Sequence, residues 1–284
     1  MTLTQSSNLI LLDQPNDPIL GALAPFAATD LFIRQADKLH HSFIHFWQTE
    51  PTVILGMKDT RLPFLKDGLT VFKNAQYDFL ARNSGGLAVV SDDGILNFSF
   101  IIPNDPDNKK SVPDAYEMMK EIISIAFSDF KLPIEAKEIV QSYCPGDYDL
   151  SIHDKKFAGI SQRRIGNGIA VMIYLSVSGT QNDRGELVKQ FYKDGLKEDF
   201  GTNGYPYLDP SSMATLSDLF QTDLTTDNVK ARLIAASEFV FKANVAPYSF
   251  QAYLDETNTY DDFQKFVANM QKRNLPITDL MEGN

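Results

Sequence analysis

The stretch from Tyr148 to Val177, YDLSIHDKKFAGISQRRIGNGIAVMIYLSV, decides how the chain folds. β-rich runs in it are separated by two turn signals. Tyr148 to Ile152 reads as a strand, His153-Asp154-Lys155 as a turn, and Phe157 to Ile165 as a second strand. Gly166-Asn167-Gly168 follows. Asn-Gly between apolar runs is a strong hairpin signal, because both residues tolerate the positive φ of a tight turn. Ile169 to Val177 is then a long strand, apolar enough to be buried. Turns this short can join only antiparallel strands.

The same pattern continues upstream. Thr52 to Leu55 is a β-rich run stopped by Gly56. Val71-Phe72 and Tyr77 to Ala81 read as further strand pieces, leading into Arg82-Asn83-Ser84-Gly85-Gly86. Ala88 to Val90 and Ile95 to Ile102 are strands around an Asp92-Asp93-Gly94 turn, which predicts another antiparallel hairpin. Helices bracket these strands. Ile19 to Leu39 has an imperfect apolar face, and Pro25 predicts a break or a late start. Ser111 with Asp114 reads as a helix cap, followed by Met118, Met119, Ile122, Ile123, Ala126 and Phe127 at helical spacing. More helices are expected over 185–196, 216–220 and 227–240, and around Phe263, Phe266, Val267 and Met270. The tail beyond, with Pro276 and Thr278, is expected to be loosely ordered. The whole reads as one α/β (α+β) domain over residues 1–284, a mixed, largely antiparallel sheet flanked by helices. Repeated βαβ units fit the spacings less well.

Composition narrows the function. Hydrophobic residues make up 43% and charged residues 22%, ordinary globular values. No apolar run approaches the roughly 18 residues a membrane span needs. The start, Met1 to Gln5, lacks a basic segment followed by an apolar stretch, so no secretory signal is expected and the cytoplasm is the predicted location. A net charge of −11 argues against nucleic acid, which needs a concentrated basic surface. The single cysteine excludes an internal disulfide and a zinc site of several thiolates. His40, His41, His45 and His153 lack metal-protease spacing, so neither a metal nor another cofactor is expected.

Three segments can carry chemistry. Cys144 lies in Gln141-Ser142-Tyr143-Cys144-Pro145-Gly146-Asp147, where Pro-Gly predicts a loop. A loop thiol is either inert or, beside a cation that favours the thiolate, a nucleophile. Arg82 to Gly86 places paired glycines after a strand, either as a hairpin turn or as backbone that approaches a ligand closely. It is neither a P-loop nor a dinucleotide fingerprint. Lys155-Lys156-Phe157-Ala158-Gly159-Ile160-Ser161 has a lysine entering a strand with small residues behind it. That lysine is either solvated or turned into a pocket.

Taken together, these segments resemble the lipoate ligase/octanoyltransferase family, which is related to the biotin protein ligases. The family's Arg-rich Gly-Gly loop is matched by Arg82 to Gly86, its Asp-x-Gly turn by Asp92-Asp93-Gly94, and its Lys-x-x-Gly strand entry by Lys156 to Gly159. The resemblance covers about residues 20–240 and leaves a C-terminal helical extension. It implies a biotin/lipoate ligase-like catalytic domain. Asn83 stands for the second Arg of the ligases, Leu87 for their third Gly and Ser91 for their His, departures from the ATP-dependent pattern. His45-Phe46-Trp47, Thr52 to Pro63, Arg82 to Val90 and Cys144 to Ser151 are instead similar to the family's octanoyl amidotransferases.

That subgroup moves octanoyl from the glycine cleavage H protein to lipoyl domains of 2-oxoacid dehydrogenase E2 subunits. The resemblance implies Cys144 as the acyl-thioester residue, assisted by Lys156. It also implies substrate contacts from Arg82, Ser84, Gly85, Gly86, Asp92, Gly159 and Ser161, and backbone N–H groups near Gly85, Gly86 or Gly159 for the oxyanion. An apolar tunnel burying about seven methylene groups would contribute roughly 5 kcal/mol before binding costs. An acyl carrier protein donor, an ATP-dependent lipoate ligase and a non-catalytic binding protein are the alternatives. A hairpin tip at residues 153–155 leaves Lys156 several residues from Cys144 along the strands. The two can meet only if the Cys144 loop folds back over the sheet.

Overall fold

The computed structural model describes residues 8–107 and 109–283. Its strands are β1 (Asn8–Gln14), β2 (Ser42–Trp47), β3 (Thr52–Leu55), β4 (Asp78–Ala81), β5 (Val89–Ser91) and β6 (Ile95–Pro103). They continue with β7 (Glu135–Ala136), β8 (Leu150–Ile152), β9 (Lys155–Ile165), β10 (Gly168–Ser176) and β11 (Asn244–Tyr248). The α-helices are α1 (Leu23–Leu39), α2 (Leu65–Asn74), α3 (Val112–Ala126), α4 (Gln181–Leu196), α5 (Leu216–Phe220), α6 (Thr226–Phe241), α7 (Phe250–Thr257) and α8 (Tyr260–Glu282). Among the described residues no helix is long and apolar enough to cross a membrane.

Two sheets form. The large one has the order β11-β1-β2-β6-β10-β9-β8-β7 and is antiparallel from β2 onward. The small one has the order β4-β3-β5. The meander over 148–177 forms, but its second turn is Gly166-Asn167 with positive φ only at Gly166, 59°, and Gly168 already opens β10 opposite Ile165. His153 and Asp154 both take positive φ, 51° and 59°, so the turn is two residues long and Lys155 already opens β9. Ser111 and Asp114 form the expected capping box on α3. Pro25 sits in the first turn of α1, where its missing N–H has no intrahelical partner to lose, so the helix starts late instead of breaking.

Four expectations change. Val71-Phe72 lies in α2, because Leu65, Leu69 and Phe72 bury one helical face. The Asp92-Asp93-Gly94 turn joins β5 of the small sheet to β6 of the large one instead of closing a hairpin. Arg184 of α4 grips it through the Asp92 carboxylate at 2.9 Å and the Asp93 carbonyl at 2.8 Å. The β1-α1-β2 and β3-α2-β4 segments are parallel crossovers, which local patterning misses because it marks neither β1 and β2 nor α2. The tail is helical through Pro276, because Ile277 is buried and the Asn274 side chain clasps both backbone groups of Ala81.

One face of the large sheet is covered by α3 and α6, which pack on Leu96, Phe98, Phe100, Val171, Ile173 and Leu175. The other face is shared. α1, with α7 and α8 behind it, covers one end through Phe32, Ile33, Phe43 and Tyr253. The small sheet with α2 and α4 covers the rest through Val53, Leu55, Phe72, Phe191 and Tyr192.

His45 of β2 is buried under α1 with 0% exposure, its Nε2 2.8 Å from the Gln14 side-chain oxygen and its Nδ1 3.3 Å from the Thr29 hydroxyl. Burial holds its pKa down, from 6.5 to about 3. Below pH 6.5 the unfolded chain therefore takes up a proton that the folded chain refuses, and this contribution to stability falls as the pH falls. Asp59, raised by burial from 3.8 to about 6, works in the opposite direction between those values. The His45 part is isolated by comparison with H45Q. The stability advantage of the native chain over H45Q should shrink by about 1.4 kcal/mol per pH unit below 6.5. Urea midpoints at pH 7 and pH 5 measure it, and a constant gap would contradict a neutral buried imidazole.

Candidate active site

Loop 137–149, between β7 and β8, carries Cys144. Cys144 has φ 47°, a left-handed conformation that costs a non-glycine residue about 1–2 kcal/mol. Hydrogen bonds hold the loop in place. Asp149 accepts the Gly146 N–H at 3.2 Å and the Ile139 N–H at 3.3 Å. The Tyr143 hydroxyl is hydrogen-bonded to the Tyr174 hydroxyl of β10 and accepts Gln181 Nε2–H at 2.9 Å.

Lys156 meets this loop. Its Nζ donates to the Tyr143 carbonyl at 2.9 Å and the Cys144 carbonyl at 2.8 Å, and pairs with Asp149 Oδ1 at 2.8 Å. An ammonium has three donors, and these partners take all three. The Lys156 and Asp149 side chains are each 2% exposed. Burial pushes the Asp149 carboxyl up, against the pull of Lys156 and the two loop amides. The loop does fold back over the sheet as required, but Lys156 reaches the backbone of Cys144.

The sulfur faces the Gly-Gly loop. Cys144 Sγ accepts the Leu87 N–H at 3.1 Å and lies 3.6 Å from Arg82 Nη2. Arg82 is buried and folded onto its own loop, donating to the Gly85 carbonyl at 2.7 Å and to the Ile54 carbonyl at 3.2 Å. Gly86 has φ 95°, and a Cβ there would lie 2.8 Å from Sγ. Only glycine leaves open the volume beside the sulfur. Gly56 is as constrained, since its Cβ would lie 1.8 Å from the Gly86 carbonyl oxygen. Asn83, where the ligases have their second arginine, donates to Asp30 at 2.9 Å, and Arg163 binds both Asp30 and the Asn83 carbonyl.

A cavity of about 270 Å³ opens beside Cys144. Its floor crosses the strands. Trp47, Asn97, Tyr174 and Gly159 are paired in register from β2 through β6 and β10 to β9, so they share one face. At about 4.8 Å per strand the row is about 14 Å long. Gly159 marks the end beside Lys156, since a Cβ there would lie 3.6 Å from Lys156 Nζ. Trp47, 6% exposed and packed edge-on against Phe26, marks the far end, and its indole N–H has no partner among the described residues. An eight-carbon chain, at about 1.3 Å per extended bond, is about 9 Å long and fits within that row.

Arg82, Ser84, Gly85, Gly86, Cys144, Lys156, Gly159 and Ser161 all line this cavity. Asp92 does not. Its carboxylate is taken by Arg184 and by the Tyr77 hydroxyl at 2.7 Å, which makes it the anchor of the β5–β6 turn. Sequence reading missed Asp149, whose place at the mouth of a strand two residues after a Pro-Gly-Asp turn was the available signal. It also missed the contact between Tyr143 and Tyr174.

The model of the lipoyl protein ligase A/B catalytic domain matches residues 22–238. The chain belongs to this family. Among the relatives of this family member, an octanoyl-[GcvH]:protein N-octanoyltransferase of Oceanobacillus iheyensis is 45% identical over 89% of the chain and 88% of its own length. A lipoyl-[GcvH]:protein N-lipoyltransferase of Listeria monocytogenes is 41% identical over 76% of the chain and 78% of its own length. The fold is also that of a solved structure of the bipartite lipoate protein ligase of Thermoplasma acidophilum and its E2 lipoyl domain. There the TM-score is 0.66 at 16% identity, over 93% of this chain and 91% of that one.

Proposed function

We propose that this family member is an octanoyltransferase that takes its acyl group from the glycine cleavage H protein, carries it as a thioester on Cys144, and delivers it to lipoyl-domain lysines of 2-oxoacid dehydrogenase E2 subunits in the cytoplasm. The observation that carries this reading is the position of Cys144 Sγ, held by the Leu87 N–H at the reacting end of the cavity. The names of the relatives support the donor.

In the first half-reaction the Cys144 thiolate attacks the octanoyl amide carbonyl. A C–S bond forms, the C–N bond breaks, and the donor lysine nitrogen takes a proton from solvent and leaves as the amine. In the second, the acceptor lysine amine attacks the thioester, a C–N bond forms as the C–S bond breaks, the amine's proton passes to solvent and the thiolate returns. The open volume beside the sulfur at Gly86 supports entry of the carbonyl there, with backbone N–H groups near Gly85, Gly86 or Gly159 as the donors this reading assigns to the oxyanion. Lys156 holds the Cys144 carbonyl and so fixes the left-handed turn that aims the sulfur. One amide replaces another, so no nucleotide is needed.

Intact mass of the protein after incubation with octanoylated H protein tests the reading. The wild-type chain is expected to gain one octanoyl group and C144A none. No adduct on the wild type would refute the thioester. An adduct formed only with octanoyl-acyl carrier protein would move the donor and leave Cys144 in place.

A further inference from the structure

Asp59 lies outside the cavity and takes no part in the transfer as described. It opens a short 3-10 turn, Asp59–Arg61, and is 0% exposed. Its two oxygens face two different elements. Oδ2 accepts the Gly56 N–H at 2.7 Å, and Oδ1 accepts the Tyr192 hydroxyl of α4 at 2.9 Å. The Tyr192 oxygen in turn accepts the Ala88 N–H at 3.1 Å. Gly56 lies against the Gly86 carbonyl with no room for a Cβ between them. Asp59 therefore braces both ends of Gly86-Leu87-Ala88, one through Gly56 and the other through Tyr192. The Leu87 N–H between them is the donor on Cys144 Sγ.

We propose that Asp59 is a positioning residue for the reacting sulfur: through Gly56 and Tyr192 it holds the Leu87 N–H on Cys144 Sγ. This rests on Cys144 as the reacting group. Arg82 and Lys58 are the cations near the Asp59 carboxylate, and the Tyr192 and Tyr205 hydroxyls are its other titratable neighbours. Two effects of removing the carboxylate have opposite signs. Loss of a negative charge near the sulfur favours the thiolate by Coulomb's law. Loss of a positioned donor disfavours it. The direction of the change tells them apart.

The test is the rate of Cys144 alkylation by iodoacetamide from pH 6 to 9 in the wild type, D59N, Y192F and the double variant, with circular dichroism and Tm as checks on folding. Cys144 is the only cysteine, so the signal is unambiguous. In each single variant the midpoint of the profile should rise by about one pH unit, and the rate at neutral pH should fall about tenfold. That is the size expected for one hydrogen bond to an ionised group. The double variant should be no worse than D59N, because Tyr192 braces the strip through Asp59. kcat should fall with KM unchanged. A midpoint that stays or falls in folded D59N and Y192F overturns the proposal. If D59N does not fold, Y192F, which removes one oxygen atom, decides. Alkylation needs no acyl donor, so a missing acyl adduct would refute the transfer and leave this result readable.

Discussion

Lys156→Met is expected to lower stability by about 3–5 kcal/mol and to abolish transfer, while K156M/D149N regains most of the stability and none of the activity. The reason is the depth of the pair. Removing one member of a buried ion pair leaves the other as an uncompensated charge, and it is this that costs about 3–5 kcal/mol. Lys156 and Asp149 are both almost fully buried at 2.8 Å, so water cannot take over the role of the lost partner. The added D149N change would remove the stranded charge and keep an acceptor for the Gly146 and Ile139 amides. It cannot replace the donor that Lys156 gives to the Tyr143 and Cys144 carbonyls. Urea unfolding and turnover of the two variants separate the roles. A K156M variant less than about 1 kcal/mol below wild type would mean the pair behaves as a solvated one.

Gly56→Ala should have the next largest effect, a loss of about 3 kcal/mol with activity down about a hundredfold. The added methyl would lie 1.8 Å from the Gly86 carbonyl oxygen, with the Leu87 Cα at 3.0 Å. These are backbone atoms and cannot rotate away, so the strip must move, which puts the cost at the upper end of overpacking. A displacement of about 1 Å at a reacting centre is enough for a hundredfold loss of rate. Gly85→Ala is the stability control, because a Cβ there meets nothing within 4 Å. Its Tm should stay near wild type, whereas a G56A variant with unchanged Tm would show that the two loops are not in contact.

Elements with a local signature were legible in the sequence. The hairpins around 153–154 and 166–167 carry their own turn residues, and Ser111 and Asp114 announce α3 by themselves. Elements defined by distant partners were not. β1 pairs with β2 and with β11, near the other end of the chain, and α2 looked like a strand because its apolar face is short. The same divide runs through the site. Arg82 to Gly86, Cys144 and Lys156 stood out only as open candidates by composition, and it was the family resemblance of their short motifs that singled them out. That Lys156 reaches the Cys144 carbonyl, and that Leu87 and Arg82 face the sulfur, depends on a loop closing across the sheet, which no spacing encodes. Asp92 misled for a similar reason. A family-like turn drew attention to it, while its partner Arg184 lies in α4.

The row Trp47–Asn97–Tyr174–Gly159 has a consequence for how such a pocket is inherited. Each strand contributes one residue to it, so the far wall and the reacting end belong to different strands, remote in the chain. A substitution at one end can resize the compartment without disturbing the residues around Cys144 and Lys156 at the other. Strand register has no such freedom. A one-residue slip of β10 against β6 would turn Tyr174 to the opposite face while Asn97 kept its own. The alignment of the antiparallel ladder is in this sense the gauge against which the cargo is measured.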